Sequence, residues 1–332
     1  MAASESKRAV SWALSCNALL TGVKFVAFLF TGSGAMLSEA IHSFADSLNQ
    51  LLLLIGVVRS SRQADAKYSY GYGAERYVWA LMSAVGIFFL GCGVTVYHGV
   101  ASLLSDHHPE SNLSWAIGVL LLSLVLEGAV LTIAVRSVKR SAAGRPFFNY
   151  LRTESDVSVA AVLLEDSAAC VGVIIALTAV VLTHVTGHAY WDAGGSILIG
   201  LLLGAVAIWL IVRNHGLLVG PSIPARVRQQ VLEILENNPS VEEVTELRTR
   251  VLDNETYRIA AELRFDGAAL AEKLAPSLEA RYREIASLDD FRNFAMRYAD
   301  EIVELLGDEI DAIEKRIRAQ IPKARYLDLE AE

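Results

Sequence analysis

The sequence has few cysteines and no excess of basic charge. Its three cysteines, Cys16, Cys92 and Cys170, lie in different apolar segments, and their spacing matches neither a disulfide framework nor a thiolate metal site. We interpret them as packing residues. The formal net charge of −8 argues against nucleic acid as a partner. The sequence also contains no nucleophile elbow, HExxH motif or phosphate-binding loop, which argues against the enzyme classes that depend on them.

Of all 332 residues, 53% are hydrophobic, and long apolar runs dominate the first two thirds of the chain. A membrane-spanning helix needs about 20 apolar residues. A basic pair precedes the first run but no small-residue cleavage site follows, so we interpret that run as a retained helix. The sequence therefore predicts an all-α membrane bundle over residues 1–215, with six spans at residues 10–30, 36–58, 77–104, 113–135, 157–184 and 194–212.

The basic residues between the spans predict the orientation of the bundle. They precede the first span and fill the second and fourth connections, whereas the other three connections contain no Lys or Arg. By the positive-inside rule both termini are cytoplasmic, or matrix-facing in an organelle. No arginine-rich amphipathic presequence is apparent, so a bacterial inner membrane is our first expectation. The basic residues are Lys7, Arg8, Arg59, Arg62, Lys67, Arg76, Arg136, Lys139, Arg140, Arg145 and Arg152.

Residues 221–332 have a charged composition typical of a soluble domain. An amphipathic helix is followed by two alternating segments around Asp253-Asn254, which indicates a β-hairpin. Ser287 with Asp290 resembles a capping box that opens a long helix, and a short strand follows. The sequence predicts a cytoplasmic α+β domain with the order α-β-β-α-β.

The second span contains the segment SEAIHSFADSLNQ, in which three ionisable residues share one helix face. Glu39, His42 and Asp46 are separated by three and four positions, so their side chains project from the same stripe. A charge near the bilayer centre costs roughly 2.5–3.5 kcal/mol, and an aligned set of acids therefore indicates a compensating partner. Imidazole and carboxylate at this spacing provide two ligands for Zn²⁺. We expect a divalent cation at His42 and Asp46.

Two further spans bring acids to membrane depth. Glu165 and Asp166 are adjacent in the fifth span, and adjacent helix residues point about 100° apart. We therefore favour Asp166 as a ligand, with Glu165 as a second ligand or a proton acceptor. Glu127 lies in the fourth span. A structural ion pair is the alternative for all these acids, but only Lys24 lies near the middle of a span, which is too few bases to neutralise them and Asp46.

The same residues suggest proton coupling. A ligand must lose its proton to hold a metal, so metal and proton compete for one site, and His42 is the natural group for that exchange. Two other functions stay open at this point. One is a membrane enzyme that holds a catalytic metal at His42, Asp46 and Asp166 with Glu165 as base. The other is a scaffold that the spans merely anchor, which would leave the buried acids unexplained.

Over essentially its whole length the sequence resembles the cation diffusion facilitators, the family of zinc and manganese efflux transporters. The resemblance rests on six spans, HxxxD at His42 and Asp46, an acid-centred fifth span and an α+β tail. The stretches YGYGAERYVWALMSAVGIFFLG, YHGV and VLLEDSAACVGVII are most similar to the branch containing the mitochondrial zinc exporter. The resemblance implies one tetrahedral metal site built from the second and fifth helices, export of the metal from the cytoplasm in exchange for protons, and a homodimer.

The resemblance also implies a ligand at position 162, where this sequence has Val162, which cannot bind metal. The fourth ligand is then Glu165, Glu127 or water, and Glu127 and Glu39 are candidates for that ligand or for a proton relay. Glu39 falls where relatives carry an acid on the exit route. We expect Zn²⁺ as cargo and no resident cofactor. The expected metal ligands are His42, Asp46, Asp166 and Glu165.

Many relatives bind extra metal in the tail through histidines. Here no histidine follows His215, and the tail has no cysteine. We therefore expect no histidine-based zinc cluster in the tail, and the resemblance implies that the tail serves mainly to dimerise.

Overall fold

A computed structural model describes residues 2–104, 113–142, 146 and 157–332, and the side chains of residues 17–104, 114–140, 142, 146 and 163–332. The basic residues Arg145 and Arg152 and the Val162 side chain lie outside this description. The chain divides into two compact units, Met1–Leu218 and Val219–Glu332.

The first unit is a bundle of long helices. They are α1 (Ala2–Thr31), α2 (Gly34–Ser60), α3 (Glu75–Leu103), α4 (Leu113–Ala142), α5 (Val157–Thr186) and α6 (Tyr190–Val219). Helices α2 to α6 are long and apolar enough to cross a membrane, and the described part of α1 is apolar over Asn17–Thr31. These helices extend beyond the spans that hydropathy predicts, because a helix continues into its polar ends. The expected helical membrane bundle is confirmed.

Helix α2 lies at the centre of the packing. It contacts α1, α3 and α5, while α4 packs against α1 and α5. A tight turn joins α1 to α2, and Gly32 adopts a left-handed φ of 70° there, which glycine accepts without steric cost. The α2 N-cap is Ser33, whose hydroxyl accepts a hydrogen bond from the Met36 amide. This central position places the α2 side chains in contact with three other helices.

Helix α6 packs closely through small residues. A Cβ atom at Gly200 would lie 2.7 Å from a methyl group of Val96, and one at Gly204 would lie 2.8 Å from the sulfur of Cys92. Both neighbours belong to α3, which has a π-helical stretch at Ile87–Val94. Gly200 and Gly204, four residues apart on α6, thus allow the two helices to pack closely inside the bundle.

The outward surface of the bundle is apolar. Large side chains on different helices are mostly exposed, as bilayer-facing residues are. Among them are Leu19, Phe89, Val125, Ile133 and Leu198.

The second unit is a small α+β fold. Its elements are α7 (Ala225–Glu236), β1 (Val241–Asp253), β2 (Thr256–Phe265), α8 (Gly267–Tyr282), α9 (Leu288–Gln320) and β3 (Ala324–Ala331). The sheet order is β1-β2-β3, with β1 and β2 antiparallel and β2 and β3 parallel. The expected hairpin and closing strand are confirmed, and Ser287 caps α9 by accepting from the Asp290 amide. The core combines Val231, Ile259, Leu263, Ile313 and Ile317.

Helix α8 is an addition to the predicted order α-β-β-α-β. Gly267 and Pro276 are unfavourable helix residues, and they obscure the pattern in the sequence. The helix forms because the Asp266 carboxylate caps it, accepting hydrogen bonds from the amides of Ala268 and Ala269.

Candidate functional site

The polar stripe on α2 contains four residues. Glu39, His42, Asp46 and Asn49 follow one another at spacings of three, four and three, which keeps them on one helix face. Glu39, His42 and Asn49 are buried, and Asp46 is partly exposed. The structure therefore turns this polar face toward the interior of the bundle, as the sequence predicts.

His42 and Asp46 form the first half of the predicted metal site. The His42 Nε2 atom lies 3.4 Å from Asp46 Oδ2. Neither ring nitrogen of His42 makes a hydrogen bond, although both are buried. Buried polar atoms are nearly always paired, so an unpaired imidazole in the interior is a feature that a ligand would explain. A divalent cation satisfies both the ring nitrogen and the carboxylate.

Helix α5 brings the second half of the site to α2. Glu165 Oε2 accepts a hydrogen bond of 2.9 Å from Asn49 Nδ2. Asp166 Oδ2 is buried without a hydrogen bond. Both α5 acids interact electrostatically with Asp46. The carboxylates that the sequence places on two separate helices thus belong to one region of the bundle.

The predicted ligands are close but do not form a ready coordination shell. Within the part of the chain that the structure describes, no three His, Cys, Asp or Glu side chains converge on one point where a metal ion would fit. The acceptor groups would therefore have to move before they could bind one ion together. An imidazole with several carboxylates suits Zn²⁺ as well as harder ions such as Mn²⁺.

Glu39 and Glu127, the candidates for a fourth ligand or a proton relay, both form an ion pair with a lysine. Lys24 Nζ lies 3.0 Å from Glu39 Oε2 and 2.8 Å from Glu127 Oε1. Lys24 and Glu39 are completely buried. The structural ion pair, which was the alternative to a metal site, is therefore present at one carboxylate oxygen of Glu39 and one of Glu127. Asp46, Glu165 and Asp166 make no ion pair with Lys24 at this range.

Two residues of the site are absent from the sequence analysis. Asn49 links α2 to α5 through Glu165, and its Oδ1 atom accepts a hydrogen bond of 2.6 Å from Ser83 of α3. Its only signal in the sequence is its position three residues after Asp46, on the same stripe. Asp192 of α6 is the second, and its carboxylate accepts from the amides of Gly34 and Ala35 at the start of α2.

The chain was compared with known proteins. Residues 10–219 match the family described as the cation efflux transmembrane domain. The human protein named "Proton-coupled zinc antiporter SLC30A9, mitochondrial" is 38% identical over 330 residues, covering 97% of this chain and 58% of that relative. "Metal tolerance protein C4" of Arabidopsis thaliana is 37% identical over 336 residues, covering 98% of this chain and 73% of the relative.

A bacterial protein extends the comparison. "Cation-efflux pump FieF" of Shewanella oneidensis is 27% identical over 266 residues, covering 79% of this chain and 81% of the relative. The chain spans 58% of the length of its human relative. The match to the family favours a transporter over the alternative of a membrane enzyme. The chain therefore belongs to the cation efflux family, the cation diffusion facilitators, whose members are transporters and not enzymes.

Proposed function

We propose that this chain exports a divalent cation, in first place Zn²⁺, from the cytoplasm in exchange for protons. His42, Asp46, Asp166 and Glu165 bind the ion during transport. The observation that carries the proposal is that the buried ring nitrogens of His42 and the buried Asp166 Oδ2 make no hydrogen bond, while His42 Nε2 lies 3.4 Å from Asp46 Oδ2. The name of one relative, a proton-coupled zinc antiporter, supports the same cargo and coupling, and the name of another, a metal tolerance protein, supports a metal as the cargo.

The proton enters the proposal through competition for the ligands. His42 and the carboxylates must be deprotonated to hold the cation, so a proton gradient that reprotonates them drives release. Glu39 and Glu127 are the proposed proton relay, and Glu165 supplies the fourth ligand in place of Val162. We further propose that the chain works as a homodimer in a lipid bilayer, with both termini on the cytoplasmic side.

The host membrane stays a prediction. The sequence analysis favours a bacterial inner membrane. Several relatives are named as mitochondrial and one is a plant protein, and these give that choice no support. Fractionation of the native host, followed by detection of the chain in each membrane, decides the question.

Uptake of metal into sealed proteoliposomes tests the proposed transport. The unmodified protein is compared with Asp46→Ala and Asp166→Ala, and both variants are expected to fall to the background of empty vesicles. Asp289→Ala is the control, because this aspartate lies in the second unit with its side chain 86% exposed. Uptake that is intact in both site variants would refute the assignment of the ligands.

Two further measurements in the same assay test the proton coupling and the choice of metal. An imposed pH gradient is expected to accelerate metal flux when the protons move opposite to the metal, and a flux that ignores the gradient would refute the coupling. Parallel measurements with Zn²⁺, Mn²⁺, Fe²⁺ and Co²⁺ rank the cargo, because imidazole favours zinc and carboxylates favour harder ions.

A further inference from the structure

Lys24 is a completely buried base held between two acids from different helices. Its ammonium lies 3.0 Å from Glu39 Oε2 on α2 and 2.8 Å from Glu127 Oε1 on α4. An ammonium ion that leaves water needs hydrogen-bond acceptors and a counter-charge, and the two carboxylates provide both. With one base and two ionised acids the group carries a net charge of about −1, so the lysine neutralises only part of the negative charge.

Each of these two acids also has a second carboxylate oxygen. Glu39 Oε1 and Glu127 Oε2 are buried and make no hydrogen bond. Carboxylate oxygens that are buried without a donor are costly, unless a cation compensates them. Two carboxylates with unpaired oxygens on either side of one ammonium are therefore an arrangement that a divalent ion would also satisfy.

A glycine of α5 lies beside the unpaired oxygen of Glu39. A Cβ atom at Gly172 of α5 would lie only 2.7 Å from Glu39 Oε1. Since any larger residue would displace that oxygen, the glycine leaves the space in which the unpaired carboxylate oxygen sits.

We propose that the Lys24 ammonium is a tethered cation that occupies a second divalent-cation site formed by Glu39 and Glu127. It keeps mobile ions out of that site. Without the lysine the two acids carry a charge of about −2, which matches one divalent ion, and hard oxygen ligands suit Mn²⁺, Mg²⁺ or Ca²⁺ as well as Zn²⁺.

The position of Glu39 and Glu127 explains why a tethered cation between them is useful. Glu39 lies three residues before His42, one turn away on the same stripe of α2. An open pair of acids at that distance would hold a second ion beside the cargo and delay its release. The tethered ammonium offsets part of the charge of the acids, occupies the space between them and cannot diffuse away, so the stripe is left with one place for a mobile ion. Lys24 is thus a specificity-determining residue that does not itself bind the cargo.

Counting bound ions tests this inference separately from transport. The purified full-length chain and the Lys24→Met variant are stripped of metal in detergent and dialysed against Mn²⁺ and, in parallel, Zn²⁺. Methionine retains an unbranched side chain but removes the charge. We expect Lys24→Met to bind one more ion per chain than the unmodified protein. Lys24→Arg keeps a positive charge and is expected to bind the same number as the unmodified protein.

A second variant decides whether the additional ion sits on the two acids. In Lys24→Met combined with Glu39→Gln and Glu127→Gln, the additional ion is expected to disappear. The inference is overturned if well-folded Lys24→Met binds no additional ion, or if the triple variant still binds it. The proposed transport is tested by Asp46→Ala and Asp166→Ala instead. A failure of the transport proposal can therefore be distinguished from a failure of this inference.

The outcome stays decisive if Lys24→Met is poorly folded without metal. Two unpaired buried carboxylates would repel each other, and Mn²⁺ or Zn²⁺ should then restore a monodisperse elution peak. The triple variant, which lacks both charges, should elute as a monodisperse species with or without metal. A triple variant that is well folded beside a Lys24→Met variant that metal does not restore would overturn the inference.

Discussion

Asn49 Nδ2 donates a hydrogen bond of 2.9 Å to Glu165 Oε2, and this bond joins the helix that carries His42 to the helix that carries Asp166. The other end of the same amide is also engaged, because Asn49 Oδ1 accepts from the Ser83 hydroxyl at 2.6 Å. Both bonds are made within the buried part of the bundle. Asn49 is therefore a positioning residue that fixes α2, α3 and α5 around the proposed metal ligands.

The first prediction concerns Asn49→Leu. The substitution leaves Glu165 without its donor in the interior, which costs about 1–3 kcal/mol. If half of that cost, about 0.5–1.5 kcal/mol, falls on the metal-binding geometry, the metal concentration for half-maximal uptake rises roughly 2- to 12-fold, since 1.4 kcal/mol is a factor of ten. Uptake into proteoliposomes at a series of metal concentrations measures this half-maximal concentration. Ser47→Ala is the control, because this hydroxyl bonds only to the Ser43 carbonyl of its own helix. Equal uptake curves for both variants would contradict the assigned role.

The second prediction concerns Gly172→Ala. The new methyl group would meet Glu39 Oε1 at 2.7 Å, so the carboxylate, which also bonds to Lys24 through Oε2, must shift. Overpacking costs about 1–3 kcal/mol, which exceeds the gain of up to about 1 kcal/mol for alanine in a helix. We expect a lower midpoint of thermal unfolding in detergent and slower metal uptake. Gly118→Ala on α4 is the matched control, because its Cβ would meet nothing within 4 Å, and it should be neutral or stabilising.

The sequence predicts those parts of the site that depend on local periodicity. Glu39, His42 and Asp46 lie on one face of α2 because the period of a helix places them there, whatever the rest of the chain does. The spans follow from apolar length alone, and the β-hairpin follows from alternation around a turn. Each of these features is determined by residues that are near one another in the chain.

The features that the sequence does not predict depend on partners far apart in the chain. Lys24 and Glu127 are 103 positions apart, and only the packing of α1 against α4 brings them together. Asn49 carries no charge, so its presence in a span is inexpensive and gives little signal. Asp192 lies 158 positions after the Gly34 amide that it accepts from, at an end of a span where an acid is unremarkable. Long-range pairing of this kind has no local pattern.

The third prediction is a pH dependence in the second unit. A hydrogen bond from Lys273 lowers the pKa of Glu309, whose side chain is 17% exposed. A carboxyl whose pKa is lower in the folded state stabilises the fold above its unfolded pKa of about 4.3, and this contribution is lost as the pH falls through the folded pKa. Glu309→Gln should therefore lower the unfolding midpoint at pH 7 by an amount corresponding to about 0.2–1 kcal/mol.

The same comparison at lower pH checks the sign. The difference between the unmodified chain and Glu309→Gln should shrink steadily as the pH falls below about 4, where both side chains become neutral. Glu304→Gln, at an exposed position on the same helix, is the control for a general effect of removing negative charge. A difference that stays constant across the pH range would contradict the role of the ion pair.

The last prediction concerns the Asp192 carboxylate, which binds the start of α2. It accepts from the amides of Gly34 and Ala35 at 2.5 and 3.0 Å, and from the Ser33 hydroxyl at 2.6 Å. Asp192→Ala removes every one of these acceptors at a helix N-terminus and should cost about 1–3 kcal/mol. Asp192→Asn keeps one oxygen, so its midpoint of thermal unfolding should lie between those of the unmodified protein and Asp192→Ala. Ser196→Ala removes only a bond within α6 and serves as the control. Identical midpoints for the two Asp192 variants and the control would mean that the start of α2 is held by other contacts.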